Sequence, residues 1–127
     1  MASETDIQVR VRYAECDPMN VAHHSAYPVW LEIARTELLR QGGVAYRSLE
    51  AAGVFFVVAR LSISFQKPAY YDDVLRVHVR TTQVSRVKVE HAYEVWRGDQ
   101  RIATAATTLG CVDRDGRVQP IPEGVVR

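Results

Sequence analysis

The chain predicts an α+β fold in which a five-stranded antiparallel sheet wraps around one long central helix. A stretch of period-2 alternation comes first, one long stretch of helical period follows it, and about four further period-2 stretches close the chain. A twisted antiparallel sheet buries one face, and the single long helix is the partner available to cover that face.

The first strand is read from Ile7, Val9, Val11 and Tyr13, which alternate with Gln8, Arg10 and Arg12. After Pro18 the alternation gives way to a loop over Met19 to His24. Tyr27, Trp30, Leu31, Ala34 and Leu38 then fall on one face of a helix. Ser25 is the expected N-cap, Pro28 is tolerated in the first turn, and Gly42-Gly43 ends the helix. Residues 44–52 predict a short helical turn before Gly53. Val57, Ala59, Leu61, Ile63 and Phe65 carry the next strand, which stops before Pro68, and Tyr71-Asp72-Asp73 is a turn. Leu75, Val77 and Val79 mark one strand, and Val87, Val89, Tyr93 and Val95 another. Gly98-Asp99 suits a type II′ hairpin, residues 101–112 form the last strand, and Asp115-Gly116 turns the chain after it.

At 127 residues, 47% hydrophobic and 24% charged, the chain has the make-up of one folded domain over residues 1–127. Its longest apolar run, Gly53 to Ala59, is far short of the ~20 residues that span a bilayer. The first residues have neither a basic flank nor an apolar stretch, so a cytoplasmic address is expected and a membrane is not. A net charge of +1 without a basic cluster argues against nucleic acid as a partner. Cys16 and Cys111 form no zinc-type spacing, and both are expected to be free thiols.

The segment from Tyr13 to Tyr27 concentrates chemistry: Asp17, Cys16, His23, His24 and two phenols stand between the first strand and the helix. A helix N-terminus offers unpaired N–H groups and a positive dipole that can polarise a carbonyl. A carboxylate beside it can activate water or attack an acyl carbon. Together these predict a hydrolytic site for an activated acyl group.

Asp17, His24 and Tyr27 lie in the frame D-x-x-N-V-x-H-H-x-x-Y, followed by Trp30-Leu-Glu-Ile-Ala-Arg-Thr-Glu37. With Val57–Phe65, Lys67-Pro68-Ala69, Asp73-Val-Leu and Pro120-Ile-Pro122-Glu, this resembles the 4-hydroxybenzoyl-CoA thioesterase-like branch of the hotdog superfamily over roughly residues 7–125. The resemblance implies an acyl-CoA thioesterase that acts on an acyl- or aryl-CoA without metal or cofactor, coenzyme A entering as part of the substrate. It implies Asp17 as nucleophile or general base, a backbone N–H near His24 as the donor to the thioester carbonyl, and His24 as an aid to binding or orientation. It also implies a homodimer with the thioester at its interface, and further pairing to a homotetramer. Many relatives carry Gly where this chain has Asn20, a residue that tolerates left-handed backbone.

Tyr13 and Tyr27 are candidate substrate-binding residues, and Arg86 and Lys88 are candidates for the nucleotide phosphates, with Arg60 and Lys67 in reserve. Phe55, Phe56 and Trp30 suit either an aromatic or an aliphatic pocket. Each candidate also has a plainer reading. Asp17 before Pro18 is also what an ordinary turn uses. Strand alternation turns Cys16 away from Asp17, as a buried inert thiol rather than a nucleophile. His23 and His24, being adjacent, are expected to diverge, with His24 facing the site. Glu32 is a reserve acid whose ordinary role is a pair with Arg35, Asp73 fits turn chemistry, and His78 and His91 are expected to be satisfied structural histidines. The competing functions are a non-catalytic acyl-CoA or acyl-carrier binding protein on the same fold, a hotdog dehydratase, and an unrelated interaction module.

Overall fold

The structure, a computed structural model, describes residues 3–125. The ends of the expected 1–127 domain, Met1–Ala2 and Val126–Arg127, lie outside the described residues. Helix α1 spans Ala26–Gln41, and every residue of the expected stripe, Tyr27, Trp30, Leu31, Ala34 and Leu38, is buried, with Ala26 beside them. Gly42 closes the helix, and Gly43 turns the chain out at φ +91°, a left-handed conformation that glycine adopts freely. Ser25 precedes α1 but does not cap it. Its backbone is already helical (φ −68°, ψ −14°) and its Oγ lies 2.8 Å from His23 Nδ1. A capping hydroxyl reaches the second or third helical N–H from an extended residue, and here the third position is Pro28, which has no N–H to offer. Helix α2, Tyr46–Ala51, is the expected short turn and ends at Gly53 with φ +81°.

Strands β1 (Glu4–Arg10), β2 (Phe55–Phe65), β3 (Val74–Val84), β4 (Lys88–Arg97) and β5 (Gln100–Val112) form one antiparallel sheet in the order β1-β3-β4-β5-β2. Leu75, Val77, Val79, Val89, Tyr93 and Val95 are buried, as their alternation requires. Arg97 pairs with Gln100 across Gly98-Asp99, and only Gly98 of the two has positive φ, +60°, the signature of a type II′ hairpin. Asp113 Oδ1 accepts the amides of Asp115 and Arg117 and holds the turn at Gly116. The first strand is shorter than its alternation implies. Val11 is buried, but Tyr13 sits in a 3-10 turn, Tyr13–Glu15, and is 77% exposed. The Arg12 N–H donates to Glu15 Oε1 at 2.8 Å, and this local bond bends the chain out of the sheet.

The two edges of the sheet differ in character. On edge strand β1, Glu4, Asp6, Gln8 and Arg10 are the exposed residues, so that edge is blunted by charge. The other edge, β2, is eleven residues long and exposes Val57, Val58, Leu61 and Phe65. A bulge between Val58 and Arg60 shifts its pairing with β5, so the alternation is interrupted at Ala59. Helix α1 packs chiefly on β1 and β3, and β2 meets the helices near its two ends, Phe56 at Tyr46 of α2 and Phe65 at Tyr27 of α1.

Candidate active site

The loop between β1 and α1 folds back on itself. The His23 N–H donates to the Glu15 carbonyl at 2.7 Å, Cys16 bridges Ala22, and the Asp17 N–H donates to the Val21 carbonyl at 2.9 Å. Asn20 makes the reversal at φ +68°, the left-handed conformation expected of it. Asp17 Oδ1 accepts the amides of Met19 (2.9 Å) and Val21 (3.2 Å), while Oδ2 accepts from no described group. The turn role and the chemical role of Asp17 therefore coexist: one oxygen fixes the carboxylate and the other is left for a reactant. On the opposite arm, the Ser25 N–H is taken by His23 Nδ1, that of Ala26 by the His23 carbonyl and that of Tyr27 by the His24 carbonyl. The His24 N–H, at the positive end of α1, has no acceptor among the described residues. The structure thus presents an unspent carboxylate oxygen and an unspent amide on the two arms of one loop.

Glu15 holds this loop to the helix, and the sequence reading passed it over by treating Asp17 as the acid of the segment. Its Oε2 accepts the Trp30 indole N–H at 3.0 Å and pairs with Arg12 at 3.3 Å, and its side chain is 8% exposed. Burial alone would raise this carboxyl, but the bonds from the Arg12 amide, the Arg12 guanidinium and the Trp30 indole outweigh it and hold the group below 4.5. A carboxyl depressed in the folded state stabilises the fold fully above its unfolded value. That contribution is expected to be lost as pH falls from 4.5 through the lower folded value. Urea melts of the native chain and Glu15→Gln across this window check it: the native chain alone should lose stability there, and parallel curves would remove Glu15 from the account.

Cys16 is half-buried, not buried as expected. Its Sγ lies 3.5 Å from the Arg12 carbonyl and packs against the main core, and desolvation followed by the charges of Glu15, Asp17 and Asp73 pushes its thiol up. Such a thiol is a poor nucleophile at neutral pH. The two histidines do not diverge. Because the chain turns at this point, their rings stack with centroids 4.1 Å apart; both residues are exposed, and His23 is engaged with Ser25. Tyr13 is free at the surface, edge-on to Tyr71. Tyr27 instead belongs to the core: it is 2% exposed and its ring packs on Trp30 and Phe65, so within one protomer it supports the site from beneath. Burial raises its phenol.

Glu32 pairs with Arg35 on the helix surface, and Asp73 caps the Tyr70 N–H and bonds Arg97, both as expected. His78 is satisfied by Asp6 at 2.7 Å and Glu4 at 3.2 Å. The matching expectation for His91 is overturned, because its Nδ1 is buried with no partner among the described residues. Nothing in a period-2 pattern reveals whether a buried ring finds an acceptor.

Arg86 and Lys88 follow the far end of β3, whereas the Asp17 loop is bonded to residues just before that strand, Ala22 to Ala69 and Asn20 to Tyr71. The eleven residues of β3 therefore separate them from Asp17, at ~3.3 Å per residue. Lys88 instead lines a cavity with Arg60 and Ser85. Among the described residues no group of three His, Cys, Asp or Glu could hold a metal, and no helix is long and apolar enough to cross a membrane.

One long helix held by a five-stranded antiparallel sheet is the hotdog architecture, and solved thioesterases share it. A DHNA-CoA thioesterase from Staphylococcus aureus superposes with a TM-score of 0.86 at 28% identity, covering 93% of this chain and 79% of that one. A hypothetical protein from Thermus thermophilus, TT1821, superposes with a TM-score of 0.90 at 38% identity, covering 94% and 92%. In sequence, the acyl-CoA thioester hydrolase YbgC of Escherichia coli O6:H1 is 30% identical over 106 residues, 83% of this chain and 79% of that protein. The family model described as the thioesterase-like superfamily matches residues 11–127, and the chain belongs to that family.

Proposed function

We propose that the protein is a cytoplasmic acyl-CoA thioesterase that hydrolyses an acyl- or aryl-CoA to the free acid and coenzyme A. The observation that carries this reading is the loop in which, among the described residues, Asp17 Oδ2 is unspent while the His24 N–H lies unpaired at the helix N-terminus. The thioester carbonyl accepts from the His24 amide, which stabilises the oxygen as negative charge develops on it. Asp17 either takes a proton from water as it attacks the carbonyl carbon, or attacks that carbon itself and is then freed by water. In both routes the C–S bond breaks, the sulfur leaves as the coenzyme A thiolate, and the acid gains the oxygen of water. His24 orients the substrate, and Tyr13 borders the entry. Neither a metal nor a cofactor takes part. A panel of acyl- and aryl-CoA substrates with thiol detection tests the reading. Retained coenzyme A binding with no thiol release above background would instead favour the non-catalytic binding protein.

The protein acts as a homodimer joined through β2, with further pairing to a homotetramer. The unpaired β2 edge with its exposed apolar side chains supports this, since a second copy covers it. Two copies of β2 paired antiparallel bring the Phe65 end of one against the Phe55 end of the other. Tyr27 touches Phe65, and Lys88 shares a row with Gly110 and Val57, so the catalytic loop of one protomer meets the Arg86–Lys88 end of its partner. Light scattering is expected to give a dimer or tetramer at micromolar concentration; a stable monomer of 14.3 kDa would refute the shared site. Replacing Arg86 and Lys88 with Ala should raise KM for acyl-CoA with little change in kcat, and leave an acyl-pantetheine, which lacks the nucleotide, unaffected. An unchanged KM for full acyl-CoA would move the phosphate site to Arg60 or Lys67.

A further inference from the structure

His23 has no part in the hydrolytic chemistry, yet it holds the backbone on both sides of the His24 amide. The His23 N–H donates to the Glu15 carbonyl at 2.7 Å, and the His23 carbonyl accepts the Ala26 N–H at 3.0 Å. A trans peptide is planar, so pinning the His23 carbonyl also fixes the His24 N–H, which points the opposite way. One residue further on, the Ser25 N–H donates to His23 Nδ1 at 3.2 Å. Asparagine and aspartate make such a turn with a side-chain oxygen that accepts the amide two residues on. Here an imidazole nitrogen does it. The ring is exposed and stacks on that of His24, centroids 4.1 Å apart.

We propose that His23 is a positioning residue that makes the site pH-sensitive: its unprotonated Nδ1 holds the His24 amide in place for the thioester carbonyl, and protonation releases it. The proposal rests on the hydrolytic reading of the Asp17 loop. A nitrogen that accepts an N–H carries no proton, so the turn assigns the ring proton to Nε2. A second proton would set Nδ1–H against the Ser25 N–H, two donors with their nitrogens 3.2 Å apart. The Ser25 hydroxyl, 2.8 Å from Nδ1, can reverse and accept from the charged ring. The amide cannot reverse, so the turn opens at the residue that follows the His24 amide. An asparagine in the same place would make the turn at every pH, whereas histidine changes charge between about pH 5 and 8. The titratable and charged groups about the ring are few. His24 stacks on it, Asp17 stands on the other arm of the loop, and the positive end of α1 lies ahead. Glu15 turns its carboxylate away to Arg12 and Trp30, and in the proposed dimer the Arg86–Lys88 end of the partner meets the loop.

Thiol release by the full chain from about pH 8 to pH 5, beside nitrogen NMR of the His23 ring and the Ser25 amide, tests this. The range lies above the window in which Glu15 titrates. Native kcat should fall about 10-fold or more toward pH 5, as the loss of an oxyanion donor from its place implies. The ring, the Ser25 amide and kcat should share one midpoint. His23→Ala loses the acceptor and should be about 10-fold slower even at pH 8, with KM little changed. His23→Asn restores an acceptor that takes no proton, so it should recover most of that rate and hold it nearly level to pH 5. A fall that persists in His23→Asn would assign the titration to Asp17 or His24 and overturn the proposal. So would native kcat at pH 8 in a folded His23→Ala protein, a ring proton on Nδ1 at that pH, or a Ser25 amide that ignores the ring. No thiol release by the native chain at any pH would refute the hydrolytic reading instead. A Ser25 amide that still followed the ring would then leave the switch in the loop standing, and one that did not would refute both.

Discussion

Asp17→Asn should cut thioester turnover by about 100-fold or more while leaving the fold and the affinity for coenzyme A nearly intact. The geometry makes this a clean substitution. An asparagine oxygen can take the place of Oδ1 and keep accepting the Met19 and Val21 amides, so the loop keeps its shape. What changes is Oδ2, which accepts from no described group and becomes an NH₂ without charge, basicity or nucleophilicity. Single-turnover thiol release, read beside circular dichroism and light scattering of the same samples, measures the effect. Cys16→Ser run in parallel should keep most of the rate, because its thiol packs against the core and donates to the Arg12 carbonyl. Near-native kcat in Asp17→Asn would transfer the role to Glu32, and an equal loss in Cys16→Ser would point to the thiol.

The largest effect on stability is expected at Trp30. The residue is 2% exposed, and its indole binds Glu15 from the first half of α1. Trp30→Ala deletes a full aromatic side chain from the core, at a cost of about 3–5 kcal/mol. It also strips a donor from a nearly buried carboxylate. Folded domains hold only about 5–15 kcal/mol in total, so this one change should remove a large share of it. Trp30→Phe keeps a six-membered ring and removes the N–H-bearing half of the indole, so it should cost less than the Ala change: about 1.5–3 kcal/mol for the lost bond plus a smaller cavity cost. Denaturant melts at one fixed protein concentration compare the two variants, since dissociation of the proposed dimer would otherwise enter the midpoint. If the Phe variant matched the native chain, the Glu15 bond would contribute nothing, and the Ala loss would be packing alone.

The helix was legible in the sequence residue by residue, because a stripe at 3.6-residue spacing has one buried solution on a single-helix fold. The hairpin at Gly98 was legible because a two-residue turn with glycine first has few alternatives. Tyr13 was misplaced because its alternation continues that of Ile7 to Val11, while the decisive contacts, Glu15 with Arg12 and Trp30, are made after the chain has folded. The reading of β2 found its strand and missed its exposure. Alternation says which residues share a face, and it cannot say whether a helix covers that face. For the site, the position of Asp17 and the left-handed Asn20 were readable from local turn chemistry. His91 was not, because partnership of a buried ring is a property of the packed state.

The open edge of β2 bears on the life of the newly made chain. On the proposed dimer, a fresh protomer carries, until a second copy arrives, a long apolar strand whose amides and carbonyls on one side are unpaired, the kind of template on which sheets grow without limit. The proposed pairing and runaway aggregation thus begin from the same surface, and scarce or mutant protomers would spend longer exposed to the second fate. Arg60, exposed beside the bulge in the middle of that strand, is placed as a gatekeeper: a charge that a single well-registered partner can accommodate and a stack of identical strands cannot.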